Sequence, residues 1–276
     1  MPRLAPLILA LCLGGTGQLR AEIRQFPQAT IEQLGAALYE QDLRAEQATN
    51  LLAAGNIDPD KEGIRGWIVG RTPQAMLFRF IREKGGVLEA FADVMFDGQT
   101  APHLEKPAST VLSPAQLAQF KARLLAVRTV SQPDYNYILL PDPERPGYLV
   151  YALVAANDAN TVFAGGHFRL SISKDGEHVV QTDELLPASL KVDKQLKDAP
   201  PGSQIHELNL PSPVSDLPLE TTVYLSLQHR NTFLVSAANG HGWKVQNGRI
   251  EPNNPASADA PTEAAPAKQA GGDSHL

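Results

Sequence analysis

TTVYLSLQHRNTFLVSAANGHGWKVQNGRI (residues 221–250) alternates apolar and polar positions almost without interruption. A period of two predicts half-buried strands. TTVYLSLQH, FLVSAA and the GWKVQ/RIE pair then become the last strands of a sheet, the final two joined at Asn247-Gly248, a strong hairpin signal. Val223, Leu225, Leu227 and His229 share one parity, so this reading puts His229 at the edge of the core where a strand ends.

Working back from there, the same period holds to about residue 135. YNYILLP and YLVYALVAA flank a DPERPG turn, and a second hairpin turns at Asp175-Gly176. The segment 187–220 is Pro-rich and reads as a long connection, with IHELNL as an edge strand. Six to eight short strands at this spacing predict an antiparallel sandwich or open barrel for residues 131–252.

Residues 22–130 read as mostly helical. Thr30 with Gln33 makes a capping box, and Ile31, Leu34 and Leu38 follow at helical spacing towards Gly55. RTPQAMLFRFIREKGG carries Thr72 as cap, Pro73 at the first helical position and Gly85-Gly86 as the stop. Ser113, Pro114 and Gln116 repeat the device before a stripe of Leu117, Phe120 and Leu124. Between the last two, VLEAFADVMFDG alternates as a strand ending at Asp97-Gly98. The class expected is α+β, helices first and an antiparallel β-sheet second.

The two ends stand apart from this. Residues 1–21 combine Arg3, an apolar run from Leu7 to Leu13 and small residues up to Ala21, the pattern of a signal peptide. The run is far short of the ~20 residues that span a bilayer. The one cysteine, Cys12, lies inside it, with Leu11 where a lipoprotein signal places a small residue. Removing residues 1–21 takes away Arg3 and Arg20 and moves the formal charge from −6 to −8. An acidic chain without cysteine argues against disulfides, thiol chemistry and nucleic-acid binding. Residues 253–276 are rich in Ala, Pro and Gly without an aromatic residue, and read as a disordered tail. A periplasmic or secreted protein is expected, with no transmembrane segment after signal removal.

PGYLVYALVA (146–155), GGHFRLSISKDG (165–176), ETTVYLSLQHRNTFLV (220–235) and GWKVQNGRI (242–250) resemble a group of uncharacterised exported bacterial proteins over roughly residues 85–250. Members of that group have no assigned activity, so the resemblance implies export and a globular fold and is silent on function.

Catalytic motifs fail on context. Ser171 and Lys174 of SISK fall on opposite faces of a strand. HELNL has Leu210 where a zinc-protease helix needs its second histidine. Three constellations remain. A two-residue turn at 175–176 pairs His167 with Glu184 on the open face beside Arg169, an acid/base pair or a polar cross-strand contact. His229 and His241, with Glu220 or Asp216, are candidate zinc ligands, against a structural role for His229. Arg169, Tyr224, Arg230, Trp243 and Arg249 are candidates to line a groove for a polar ligand or a peptide. The expected function is an exported, envelope-associated binding or assembly module without catalytic activity or a required cofactor, acting on a protein partner. A metal-assisted hydrolase and a periplasmic small-ligand binder are the alternatives.

Overall fold

The computed structural model describes residues 22–131, 135–155, 161–186, 191–193 and 205–253. The signal-peptide and tail expectations fall on residues outside these, Asn253 excepted. An extended segment, residues 22–27, leads into helix α1 (Gln28–Ala54), which starts directly after Pro27 and stops at Gly55 as expected. Thr30 lies inside the first turn, because Pro27 already holds the extended backbone (φ −60°, ψ 149°) that a cap residue supplies. The short α2 (Pro59–Glu62) follows, capped by Asp58.

A four-stranded antiparallel meander comes next: β1 (Ile64–Arg71), β2 (Met76–Lys84), β3 (Val87–Phe96) and β4 (Leu104–Glu105). β2 occupies the segment expected to be a helix. Its cap and stop signals are satisfied by turns instead. The Thr72 amide donates to the Ala75 carbonyl (2.9 Å) and the Thr72 hydroxyl accepts from the Ala75 amide (3.0 Å), closing the β1–β2 turn. Gly85 and Gly86 take φ of +58° and +79°, the two consecutive positive values of a tight hairpin between β2 and β3. Met76, Phe78 and Phe80 then alternate to one face.

Helix α3 (Pro114–Thr129) has the full capping box expected, Ser113 and Gln116 each bonding the other's backbone amide. It is followed by the second sheet, ordered β5 (Tyr135–Pro141), β6 (Gly147–Val154), β8 (Phe168–Ser173) and β9 (Val179–Glu184), all antiparallel. β7 (Thr161–Phe163) pairs with β10 (Lys191–Asp193). The last sheet is β11 (Glu207–Ser212), β12 (Thr232–Ala237), β13 (Gly242–Gln246) and β14 (Arg249–Pro252).

Within that last sheet β11 and β12 run parallel. A parallel pair cannot be joined by a hairpin and needs a crossover. The crossover is helix α4 (Glu220–His229), where the sequence alternation predicts a strand. Residues 220–226 are all buried, so the polar positions Thr221, Thr222 and Ser226 sit inside as well and no amphipathic period remains to reveal a helix. α4 lies against α1 so closely that a Cβ on Gly35 would come 2.4 Å from Val223.

Both long helices are shared between sheets. The first half of α1 (Ile31, Leu34, Leu38) packs with Ile138, Leu149 and Tyr151 of the second sheet, Val223 of α4 and Phe233 and Val245 of the last sheet. Its second half (Ala45, Ala48, Leu52) covers Trp67, Phe78, Phe80 and Val94 of the first sheet. α3 inserts Phe120 against Ile68 and Ile81, and Ala122 and Ala126 against Leu139, Val150, Leu170 and Ile172. Residues 22–130, expected to be mostly helical, contain a four-stranded sheet of their own and pack against the later sheets, and among the described residues the α+β assembly is not closed into a barrel. No described helix is long and apolar enough to cross a membrane.

Candidate functional site

On α1, Leu38, Gln41, Ala45 and Ala48 form the buried stripe, and the Gln41 amide donates to the Leu139 carbonyl (3.1 Å). One residue on, Asp42 turns away from that stripe towards α4. On α4, Glu220, Tyr224 and Gln228 recur every four residues and so share a face. The Tyr224 hydroxyl donates to Asp42 Oδ2 at 2.8 Å and Gln228 Nε2 reaches the same oxygen at 3.5 Å. From β5, Asn136 Nδ2 donates to Asp42 Oδ1 at 2.5 Å. Three neutral donors therefore hold the carboxylate, and no lysine or arginine is paired with it among the described residues.

The energetic signature follows from that geometry. Burial pushes the Asp42 carboxyl above its ordinary pKa, against the hydrogen bonds from Tyr224 and Asn136, and the nearby Glu46 carboxylate adds to the rise. Tyr224 is raised well above its ordinary value, by burial first and then by the Asp42 charge. The group opens on a cavity of about 250 Å³ lined by Asp42, Glu46, Asn136, Phe163, Tyr224, Gln228 and His229, with Leu153, Val154, Ala155 and Leu225 as its apolar part. Polar groups with perturbed pKa converging in a concavity are what a binding site requires.

One turn back along α4 lies a second ionic cluster with a different character. Arg169 is fully buried on β8. Its guanidinium donates to Asp183 Oδ2 (3.0 and 2.6 Å), to Glu220 Oε1 and to the Arg24 carbonyl. The Tyr151 hydroxyl also donates to Glu220 Oε1 (3.0 Å). Arg24 grips Asp142 (2.5 and 2.8 Å) and Glu144 (2.9 Å), and the Phe26 ring lies 4.6 Å from the Arg24 guanidinium and 4.7 Å from that of Arg169. Burial alone would lower the Arg169 pKa, but Glu220, Tyr151 and Asp183 outweigh it and raise it. The cluster clamps the extended segment 22–27 into the core.

The residues singled out by sequence are placed as follows. His167 is buried, not on an open face: its Nδ1 accepts from the Val154 amide (3.1 Å) and its Nε2 donates to the Phe163 carbonyl (2.9 Å). Burial lowers its pKa to about 4. Glu184 pairs with Phe168, one position along from His167, because the β8–β9 ladder shifts register between Ser171 and Ile172. Val180, left out of the pairing, is 63 % exposed, as an extra residue in a β-bulge can be. Leu170 and Ile172 face α3 while Arg169 faces α4, so both sides of this strand are interior.

Of the groove candidates, Arg169 belongs to the buried cluster and Tyr224 to the Asp42 cavity. Trp243 packs half-buried on the core, exposed Arg249 pairs with Glu32 (2.8 Å), and exposed Arg230 ends α4 at φ +54°. They line no common groove. His229 is the last residue of α4 and borders the Asp42 cavity. His241 is exposed in the turn after β12. The six residues of β12 separate them, roughly 20 Å at strand rise, and Glu220 is committed to Arg169. Among the described residues the metal-type side chains that do gather are Asp175, Glu177 and His178, all exposed on the β8–β9 turn.

Sequence reading named Tyr224 and His229 but missed Asp42, Asn136 and Gln228. The available signal was Asp42 with Glu46: like charges four apart on a helix cost stability and ask for a reason. No family model, curated protein or solved structure matches the chain.

Proposed function

We propose that the chain is an exported binding module of the cell envelope and that the Asp42 cavity holds a small organic cation. One observation carries this: a half-buried carboxylate, hydrogen-bonded by neutral groups, faces a cavity, and among the described residues no lysine or arginine is paired with it. Such a charge is costly to bury unpaired, and a bound ammonium group removes the cost. Glu46 adds a second negative charge at the rim; the Phe163 ring, also in the lining, already has the Lys191 ammonium over it at 5.9 Å. Export is supported by the composition of residues 1–21.

The test is thermal unfolding with methylammonium, putrescine or choline chloride against sodium chloride at equal ionic strength and against glycerol. At a hundredfold excess over Kd the expected gain is about 2.7 kcal/mol, a rise in Tm of roughly 5–10 °C. Asp42→Asn is expected to abolish it. Equal shifts in wild type and Asp42→Asn, or none with any cation, overturn the reading.

A further inference from the structure

A second concavity lies on the other side of α1, and its charge is reversed. Arg44 is two residues from Asp42, so its side chain leaves the helix on a different face. There α1 meets the β1–β2 turn and the loop after β3 around a cavity of about 350 Å³, lined among others by Glu40, Arg44, Arg71, Met76, Phe96 and Thr100. The volume is within the range of small-molecule sites.

The two arginines differ in how they are occupied. Arg71 donates to Glu40 (3.0 Å) and to Gln41 (3.4 Å), so its charge is answered within the protein. Among the described residues, half-buried Arg44 donates to Gln47 Oε1 at 2.9 Å and lies over the Phe96 ring at 5.1 Å. No carboxylate is paired with it among the described residues. A guanidinium has five donors in a planar fork, so most of this fork is uncommitted. Asp97, the nearest acidic residue in the loop, turns inward and accepts from the Gln99 and Thr100 amides (2.9 Å each). Buried Phe96 and Met76 give the cavity an apolar floor, and Pro73 and Pro102 give it apolar walls.

We propose that this cavity is a second binding site, selective for a small organic carboxylate whose carboxyl group pairs with the Arg44 fork and whose apolar body lies on Phe96 and Met76. The fork geometry favours a planar carboxylate, and within a lining that is more polar than apolar, Met76 and the Phe96 edge give a carbon body its apolar contact. This site shares no residue with the Asp42 cavity and does not depend on the reading given for it.

The experiment is calorimetric or NMR titration of the folded chain with benzoate and hexanoate, with acetate and inorganic phosphate in parallel. Saturable binding of benzoate or hexanoate, tighter than acetate, is expected. Arg44→Gln is expected to weaken it about tenfold or more, the scale of losing charge-assisted hydrogen bonds. Arg44→Lys keeps the charge without the fork and is expected to fall between. Asp42→Asn is expected to leave the affinity unchanged, which separates this site from the first. No saturable binding in wild type, an unchanged affinity in Arg44→Gln, or phosphate binding as tightly as benzoate each overturns the proposal.

Discussion

The Arg169 cluster and the Asp42 cavity stand one turn apart on the same face of α4, and both put a carboxylate inside the protein. At Glu220 the charge meets Arg169, which also holds Asp183. At Asp42 three neutral donors take the place of a cation. The first arrangement pairs its charges within the chain and holds segment 22–27 in place; the second is hydrogen-bonded, and among the described residues no lysine or arginine pairs with it. Hydrogen-bond satisfaction and charge compensation are separate requirements of a buried ion. Where only the first is met, the protein keeps a charge that a ligand can answer.

That contrast breaks most visibly at Arg169. Arg169→Met leaves Asp183 and Glu220 buried without their cation and is expected to cost about 3–5 kcal/mol in urea unfolding. A loss below 1 kcal/mol would mean that the clamp holds nothing. Gly35→Ala acts on both regions at once, since α4 carries Glu220 and Tyr224 and the new Cβ would sit 2.4 Å from Val223. Alanine favours a helix by ~1 kcal/mol over glycine, yet overpacking of ~1–3 kcal/mol is expected to win, lowering both Tm and the cation response. A Tm rise would show that α4 yields.

A third test concerns acid. A histidine with a depressed pKa contributes stability that is fully present above its unfolded value and lost as pH falls through its folded one. For His167 that window runs from about 6.5 down to about 4. His167→Gln is expected to flatten the Tm–pH curve across it, and an unchanged slope would place the acid sensitivity elsewhere. Asp42 has the smallest expected effect and the opposite sense. Its raised pKa means that the ionised carboxylate costs stability, a cost absent below the unfolded value and complete above the folded one. Asp42→Asn is therefore expected to be neutral or stabilising by up to about 1 kcal/mol at pH 7. The gap from wild type should close on acidification. A clear destabilisation at pH 7 would assign Asp42 to the same structural class as Glu220.

How far the sequence could be read follows from the range of each interaction. Ser113 and Gln116 cap α3 from three residues apart, and Asn247-Gly248 turns its hairpin alone, so both were legible. Thr72-Pro73 and Gly85-Gly86 serve a helix or a pair of turns equally well; the alternation of Met76, Phe78 and Phe80 between them was the better guide. α4 misled for another reason. A segment buried on every side carries no period, and what marks it as a crossover is the parallel pairing of β11 with β12, which no local pattern contains. The α+β class survived these errors because β3, the second sheet and β11 to β14 were read from their alternation, although β1, β4 and β10 were not. The candidate site was half visible: Tyr224 and His229 stood out, while Asp42 gains its meaning from a partner 182 residues away.

The clamp on segment 22–27 has a consequence in time as well as in space. Arg24 offers its carbonyl to Arg169 across 145 residues, and Gln25 donates to the Val214 carbonyl across 189. Gly35, near the start of α1, waits for Val223. A growing chain that has not yet reached residue 220 lacks both Glu220 and the helix that covers α1. Contacts of such long separation make folding slow, and the core around α1 cannot close before residues 220–229 are available to it.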